Sequence, residues 1–277
     1  MRVNHAKRRL QAGEPSIGTW LALPSPEAAE FVGALGFDWL NIDAEHSPVD
    51  IRTLSLMFGA IASTGTAPMV RIPWNTPEHF KRALDAGAWG IVVPMVNTKE
   101  EAERAVAAAK YPPMGIRSAG GGSHALRFRT TGGDYYKHAN DELLLVLQIE
   151  HEQGVENADD ILSVPGVDAC FIGPNDMAAS MGIGLGVPLE SDHPQLVEAI
   201  KHVRETSVKH GVAPGIHTSG SAGINQRLAE GFQFLALASE LRYLLSGLKD
   251  ALGEVNWTAS PREEREAAAA GAGAVRY

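Results

Sequence analysis

Eight short apolar runs alternate with eight longer amphipathic stretches along this chain, and no other feature limits its fold as tightly. Strands joined by helix-length crossovers pair in parallel, because such a connection carries the chain back to the starting end of the sheet. The runs read as strands are Ser16 to Ala22, Trp39 to Asp43, Ala67 to Arg71, Gly90 to Pro94, Leu143 to Ile149, Val167 to Ile172, Ala213 to Ile216 and Phe232 to Ala236. Helices are predicted over Pro26 to Leu35, Val49 to Ser63, Pro77 to Ala86, Thr98 to Lys110, Glu156 to Leu162, Gln195 to His210, Gly220 to Ala229 and Ser239 to Leu252. Ser25-Pro26, Ser47-Pro48, Thr76-Pro77 and Thr98 ahead of Glu100 and Glu101 place a capping hydroxyl, or a proline in the first turn, at four of their starts. Eight β/α units in 277 residues predict an α/β fold, a closed single-domain (β/α)8 TIM barrel, with an open doubly wound sheet as the competing arrangement.

Two regions break the rhythm. Tyr111 to Asp141, rich in Gly and Pro, reads as a long loop, and a loop of that length in a compact domain is usually functional or mobile. The barrel domain is assigned to residues 1–257, and residues 258–277 form a low-complexity tail, expected to be a short exposed helix or disordered.

A formal net charge of -9 argues against a nucleic-acid or anionic-membrane surface, so an acidic substrate must be drawn by local arginines. No run of about 18 apolar residues occurs that could span a membrane. The basic start, Met1 to Leu10, leads into no apolar stretch of signal-peptide length. The one cysteine, Cys170, lies inside a predicted strand and reads as a small buried apolar residue. A cytoplasmic location is expected.

Barrel chemistry gathers at the C-terminal ends of the strands. There the sequence places Asp43, Glu45 and His46 after the second run, Arg71 at the end of the third, Gln148 and Glu150 after the fifth, and Asn175 and Asp176 after the sixth. Glu150 and Asp176 follow neighbouring strands, and two carboxylates side by side are costly unless a cation sits between them. Read singly, Glu150 is a solvated loop residue and Asp176 a helix cap; read together, they are ligands for a divalent metal. Arg71, ending an apolar strand, needs a carboxylate partner or an anionic ligand. His46 either caps the following helix or acts as a base, with Asp43 three residues earlier orienting its ring.

No lysine ends a strand, which argues against a Schiff-base mechanism. Carbanion stabilisation then falls to a metal and an arginine. Two carboxylates leave most positions of Mg²⁺, Mn²⁺ or Co²⁺ open, and a bidentate 2-oxo acid suits those positions. Gln148 projects from the same strand face as Glu150, within reach of that substrate. The reaction class is carbon–carbon bond cleavage or formation next to a 2-oxo acid.

Gly18-Thr19-Trp20, Asp43-Ala44-Glu45-His46, Val70-Arg71-Ile72-Pro73, Leu84-Asp85-Ala86-Gly87-Ala88, Pro94-Met95-Val96, Tyr111-Pro112-Pro113-Met114-Gly115-Ile116-Arg117-Ser118, Gln148-Ile149-Glu150 and Phe171-Ile172-Gly173-Pro174-Asn175-Asp176 together resemble the HpcH/HpaI family of class II, metal-dependent pyruvate aldolases, within the phosphoenolpyruvate/pyruvate superfamily. The resemblance implies an aldolase that cleaves a 4-hydroxy-2-oxo acid into pyruvate and an aldehyde. It implies Glu150 and Asp176 as metal ligands, Arg71 as stabiliser of pyruvate enolate, and His46, assisted by Asp43, as the group handling the hydroxyl proton. Gln148, Asn175, Trp20 and Gly173 are the implied substrate-binding residues. Asp85 is implied to lie near a subunit junction, in hexamers built as trimers of dimers that exchange a C-terminal helix. Gly120-Gly121-Gly122-Ser123-His124 and Asn175 depart from the pattern of the best-known members, and they bear on which aldehyde is accepted. The alternatives are a macrophomate-synthase-like or oxaloacetate-decarboxylating enzyme on the same site, a citrate-lyase-like enzyme acting on a CoA thioester, and a non-catalytic 2-oxo-acid-binding barrel.

Overall fold

The computed structural model describes residues 2–120, 125 and 127–256. Its eight strands are β1 (Ser16–Leu21), β2 (Trp39–Asp43), β3 (Ala67–Arg71), β4 (Gly90–Val93), β5 (Leu144–Ile149), β6 (Ala169–Ile172), β7 (Gly215–Thr218) and β8 (Phe234–Ser239). They close into one barrel in sequence order, each parallel to its neighbours, with β8 completing the ring against β1. The expected closed barrel is therefore the fold, and the open sheet is not.

The first five strands lie within one residue of their apolar runs. The last three start two residues late, and for β7 and β8 the reason is visible around Pro214. Proline has no N–H for the ladder, and its carbonyl is taken by the Gln233 and Phe234 N–H groups. Regular pairing therefore begins at Gly215, where a Cβ would stand 2.5 Å from the Cys170 carbonyl oxygen and 2.7 Å from that of Phe234. The strand then continues through His217 and Thr218, which an apolar-run criterion cannot follow.

Twelve helices occur among the described residues: α1 (His5–Gln11), α2 (Pro26–Gly33), α3 (Ile51–Thr64), α4 (Pro77–Ala86), α5 (Lys99–Ala109), α6 (Gly132–Glu142), α7 (Glu152–Glu156), α8 (Ala158–Leu162), α9 (Pro174–Ser180), α10 (Pro194–Lys209), α11 (Ser221–Ala229) and α12 (Glu240–Gly253). The Thr98 start of α5 is a full capping box with Glu101. The start expected at Ser47-Pro48 is displaced to Asp50, whose carboxylate accepts from the Thr53 N–H at 2.7 Å. The region expected to be a loop, Tyr111 to Asp141, contains α6, whose Tyr135 packs with Phe128 and Tyr111. Residues 121–124 of the glycine-rich segment and the low-complexity tail from residue 257 onward lie outside the described residues.

Strand alternation sorts side chains between two cores. Leu40, Ile42, Val70, Ile91, Leu145 and Leu147 face the helices. Trp39, Met69, Val92, Leu144, Val146, Phe171 and Phe234 fill the barrel. Trp39 stacks on Phe234 at 4.3 Å between ring centroids, and Phe171 meets Phe234 edge-on at 5.9 Å. Continuing the inward parity toward the C-terminal ends puts Trp20, Asp43, Arg71, Gln148, Glu150, Gly173 and His217 over this aromatic floor.

The floor has no spare room at Gly18, where a Cβ would lie 2.1 Å from the Trp39 ring. Gly18→Ala is expected to destabilise the protein by about 1–3 kcal/mol through overpacking. Urea unfolding should show a lower midpoint at unchanged slope.

Candidate active site

Asp43 and Arg71 are register partners at the ends of β2 and β3, so the ladder itself brings their side chains together. Arg71 Nε donates to Asp43 Oδ1 at 3.0 Å and Nη2 to Oδ2 at 2.7 Å, a two-point pairing of a planar fork with a carboxylate. Glu45 approaches the same guanidinium at 3.1 Å, and the Trp20 ring lies 4.5 Å from it. Burial alone would lower the Arg71 pKa, but Asp43, Glu45 and Glu150 outweigh it and hold the group above its ordinary value. Arg71 is a fixed, largely buried positive charge.

Glu150 lies across the barrel mouth and is almost wholly buried. Its Oε1 accepts from the Met95 N–H at 2.9 Å, and its Oε2 accepts from Gln148 Nε2. Met95 directs that N–H from a backbone φ of +52°, a left-handed conformation uncommon outside glycine. Gly173 closes the other side, since a Cβ there would stand 2.7 Å from Glu150 Oε2 and 3.1 Å from Gln148 Nε2. Burial pushes the Glu150 carboxyl up to about 7; the Met95 hydrogen bond and Arg71 oppose the rise, and Asp176 and Glu45 add to it.

Asp176 sits exposed in the first turn of α9, close enough for its charge to act on both Glu45 and Glu150. Asn175 precedes it, also exposed. The Asp43 carboxylate reaches His46 only through the backbone: it accepts from the Glu45 and His46 N–H groups at 3.1 and 3.3 Å, and its side-chain partner is Arg71. The carboxylate beside the His46 ring is Glu45, 3.7 Å from Nε2, and the imidazole stands 62% exposed at the rim. Asp85 is not at the strand ends. It lies in the last turn of α4, where its Oδ1 accepts from Arg117 at 2.8 Å.

Glu45 has its place at this end of the barrel from sequence but gains its role only here, and His217, Ser219 and Arg242 are functional candidates that only the structure brings out. His217 follows the displaced start of β7, and parity from Gly215 would have found it. Burial lowers its pKa to about 4, with Arg71 and Arg242 acting in the same direction, so it is neutral near pH 7.

Glu45 and Glu150 thus act on one arginine already engaged by Asp43, and Asp176 adds its charge to those two acids. Among the described residues no three His, Cys, Asp or Glu side chains gather into a closed metal-binding group. The donor chemistry nevertheless suits a hard divalent cation. Burial raises the Glu150 pKa, with Asp176 and Glu45 adding to the rise, and buried Gln148 Oε1 and Glu45 Oε2 have no hydrogen-bond partner. Glu45 Oε2 is at ion-pair distance from Arg71 without hydrogen-bond alignment.

A family model described as HpcH/HpaI aldolase/citrate lyase matches residues 16–246. A 5-keto-4-deoxy-D-glucarate aldolase of Shigella dysenteriae serotype 1 is 41% identical over 238 residues, 86% of this chain and 91% of the relative. Among solved structures, an HpcH/HpaI aldolase/citrate lyase family protein from Burkholderia cenocepacia superposes with a TM-score of 0.84 at 36% identity, covering 92% of this chain and 100% of that one. An HpcH/HpaI aldolase from Desulfitobacterium hafniense gives 0.83 at 30% identity, covering 92% and 97%.

A carboxyl whose pKa is higher folded than unfolded binds more protons in the folded state. Its contribution to stability is therefore fully present below the unfolded value near 4.5 and lost as pH rises through about 7. Chelator-treated protein should lose on the order of 3 kcal/mol from this group across that window. In Glu150→Gln that component of the stability-versus-pH curve, measured by denaturant unfolding, should be absent.

Proposed function

From the premise that the chain belongs to the HpcH/HpaI aldolase/citrate lyase family and is a carbon–carbon lyase, we propose that it cleaves a 4-hydroxy-2-oxo acid to pyruvate and an aldehyde. The observation that carries this reading is the buried Glu150, held by Met95 and Gln148 beside Asp176 and across from Arg71. The name of the 41% identical relatives supplies the first substrate to test. 5-Keto-4-deoxy-D-glucarate is itself a 4-hydroxy-2-oxo acid, and breaking its carbon–carbon bond next to the hydroxyl yields pyruvate and 2-hydroxy-3-oxopropanoate.

Glu150 and Asp176 are the metal-holding residues in this reading, and a divalent ion bound there supplies Lewis-acid polarisation of the 2-oxo acid. Arg71, locked in place by Asp43 and stacked on Trp20, sets its positive charge against the negative charge that gathers on the 2-oxygen. Gln148 and the backbone around Gly173 bound the pyruvate end. His46 takes the proton from the 4-hydroxyl as the carbon–carbon bond breaks; the bonding electrons pass to the pyruvate half as enolate, which is protonated at carbon 3. Glu45 is the carboxylate that steadies the histidine. No lysine ends a strand, so the reading requires no imine.

α12 bears on assembly. None of its residues is buried, and Leu244, Leu245, Leu248 and Leu252 are each about half exposed or more. An apolar stripe left in water calls for a partner surface, and in this reading a second subunit covers it by helix exchange, within a hexamer of three dimers.

Pyruvate should appear when the glucarate compound is supplied with Mg²⁺, Mn²⁺ or Co²⁺, in a lactate-dehydrogenase-coupled assay; turnover that survives thorough chelation would overturn the metal assignment. Arg71→Ala should retain metal but slow exchange of the pyruvate methyl protons in D₂O by about 10²–10³-fold. Borohydride with pyruvate should leave the protein mass unchanged. For assembly, Leu244→Glu combined with Leu248→Glu should shift the species seen by sedimentation to smaller sizes; an unchanged profile would rule out the α12 contact.

A further inference from the structure

Beside the pyruvate end of the site the single chain has a cavity of about 450 Å³ whose polar lining includes Asn175, Glu190, His217, Ser219 and Arg242; its Leu245 side belongs to the α12 stripe assigned above to subunit contact. We propose that it receives the far end of the aldehyde half, with Arg242 pairing a terminal carboxylate and Ser219 and Asn175 bonding the hydroxyl next to it. The proposal rests on the pyruvate-lyase reading above and assigns residues to the half of the substrate that Glu150, Asp176 and Arg71 do not handle.

The cavity joins the reacting centre at two points. Asn175 is the residue before Asp176. His217 meets Trp20 edge-on at 5.8 Å, and Trp20 carries the Arg71 guanidinium at 4.5 Å, so one aromatic side chain separates the cavity from Arg71. A substrate anchored on Arg71 at one end therefore extends toward this wall.

The charges are arranged for an anion. Arg242 has no ion-pair partner among the described residues, whereas the one acid in the cavity is committed: Glu190 accepts from the Ser219 N–H at 2.7 Å and from its hydroxyl at 2.6 Å. Gly223 makes room for that acid, since a Cβ there would stand 2.2 Å from Glu190 Oε1. With its proton given to Glu190, the Ser219 oxygen is left as an acceptor for a substrate hydroxyl. His217, neutral near pH 7, adds no charge of its own. A guanidinium matches a carboxylate in two-point geometry, as a neutral alcohol cannot.

Arg242 is also held in position. The Ser239 hydroxyl caps α12 by accepting from the Arg242 N–H at 3.3 Å. Glu240 Oε1 accepts from the Ala22 and Leu23 N–H groups at 2.7 and 2.6 Å, tying the first turn of α12 to the end of β1. The backbone at Arg242 is therefore fixed by contacts within the chain.

The test compares two acceptors of equal length in condensation with pyruvate: 2-hydroxy-3-oxopropanoate, and glyceraldehyde, which has a hydroxymethyl group in place of the carboxylate. Wild type should favour the anionic aldehyde in kcat/KM. Arg242→Gln should lose about tenfold or more of that preference, through a higher KM for the anionic aldehyde, and Arg242→Lys should recover part of it. A preference unchanged in Arg242→Gln, or an equal fall for both aldehydes, overturns the assignment. Exchange of pyruvate methyl protons by wild type needs no aldehyde. Its absence would refute the pyruvate reading, whereas exchange with an unaltered preference would refute the subsite alone.

Discussion

The pairing of Arg71 with Asp43 is the contact on which the rest of the site depends. Both side chains are about nine-tenths buried, and removing one partner from such a pair leaves the other's charge stranded at a cost of about 3–5 kcal/mol. The pair is made possible by a single register, with Asp43 opposite Arg71 across β2 and β3. A slip of one residue in either strand would turn that strand's side chain toward the helices and separate the pair. The aromatic face of Trp20 and the second carboxylate of Glu45 then fix the guanidinium in one orientation. Preorganisation of this kind lets a charge stabilise a developing anion without rearranging during the reaction.

The barrel below maintains that register. Trp39, Phe171 and Phe234 fill its interior so fully that Gly18 has to lack a side chain. The same economy of space recurs higher up, where Gly173 allows β6 to press against Glu150 and Gln148. Met95 is held in the left-handed region while its N–H serves the Glu150 carboxylate. Local strain at the rim is sustained by a rigid floor, and together they hold an acid whose carboxyl is raised by burial, with Asp176 and Glu45 adding to the rise.

The sequence made the barrel legible because its first five strands are continuous apolar runs bounded by recognisable helix starts. It also disclosed the parity of Gln148 and Glu150 and the need of Arg71 for an anionic partner. It did not disclose which partner. Asp43 was paired in expectation with His46, three residues away in the chain, whereas in space its carboxylate meets Arg71, and His46 stands beside Glu45. Spacing along a chain measures local reach, and a parallel ladder brings together residues 28 apart. His217 and Thr218 were hidden for a different reason: they are polar residues completing a strand whose apolar run begins early, behind Pro214.

By itself the sequence determined the eightfold α/β alternation, the shared face of Gln148 and Glu150 and the acidic and cationic inventory at the strand ends, because these follow from periodicity and residue type. Only the tertiary structure decided barrel closure, the Arg71–Asp43 pairing, the burial that raises Glu150, and the convergence of Asn175, His217, Ser219 and Arg242 on one cavity. The physical reason is that register, desolvation and the meeting of distant strand ends exist only once the ring of strands is closed.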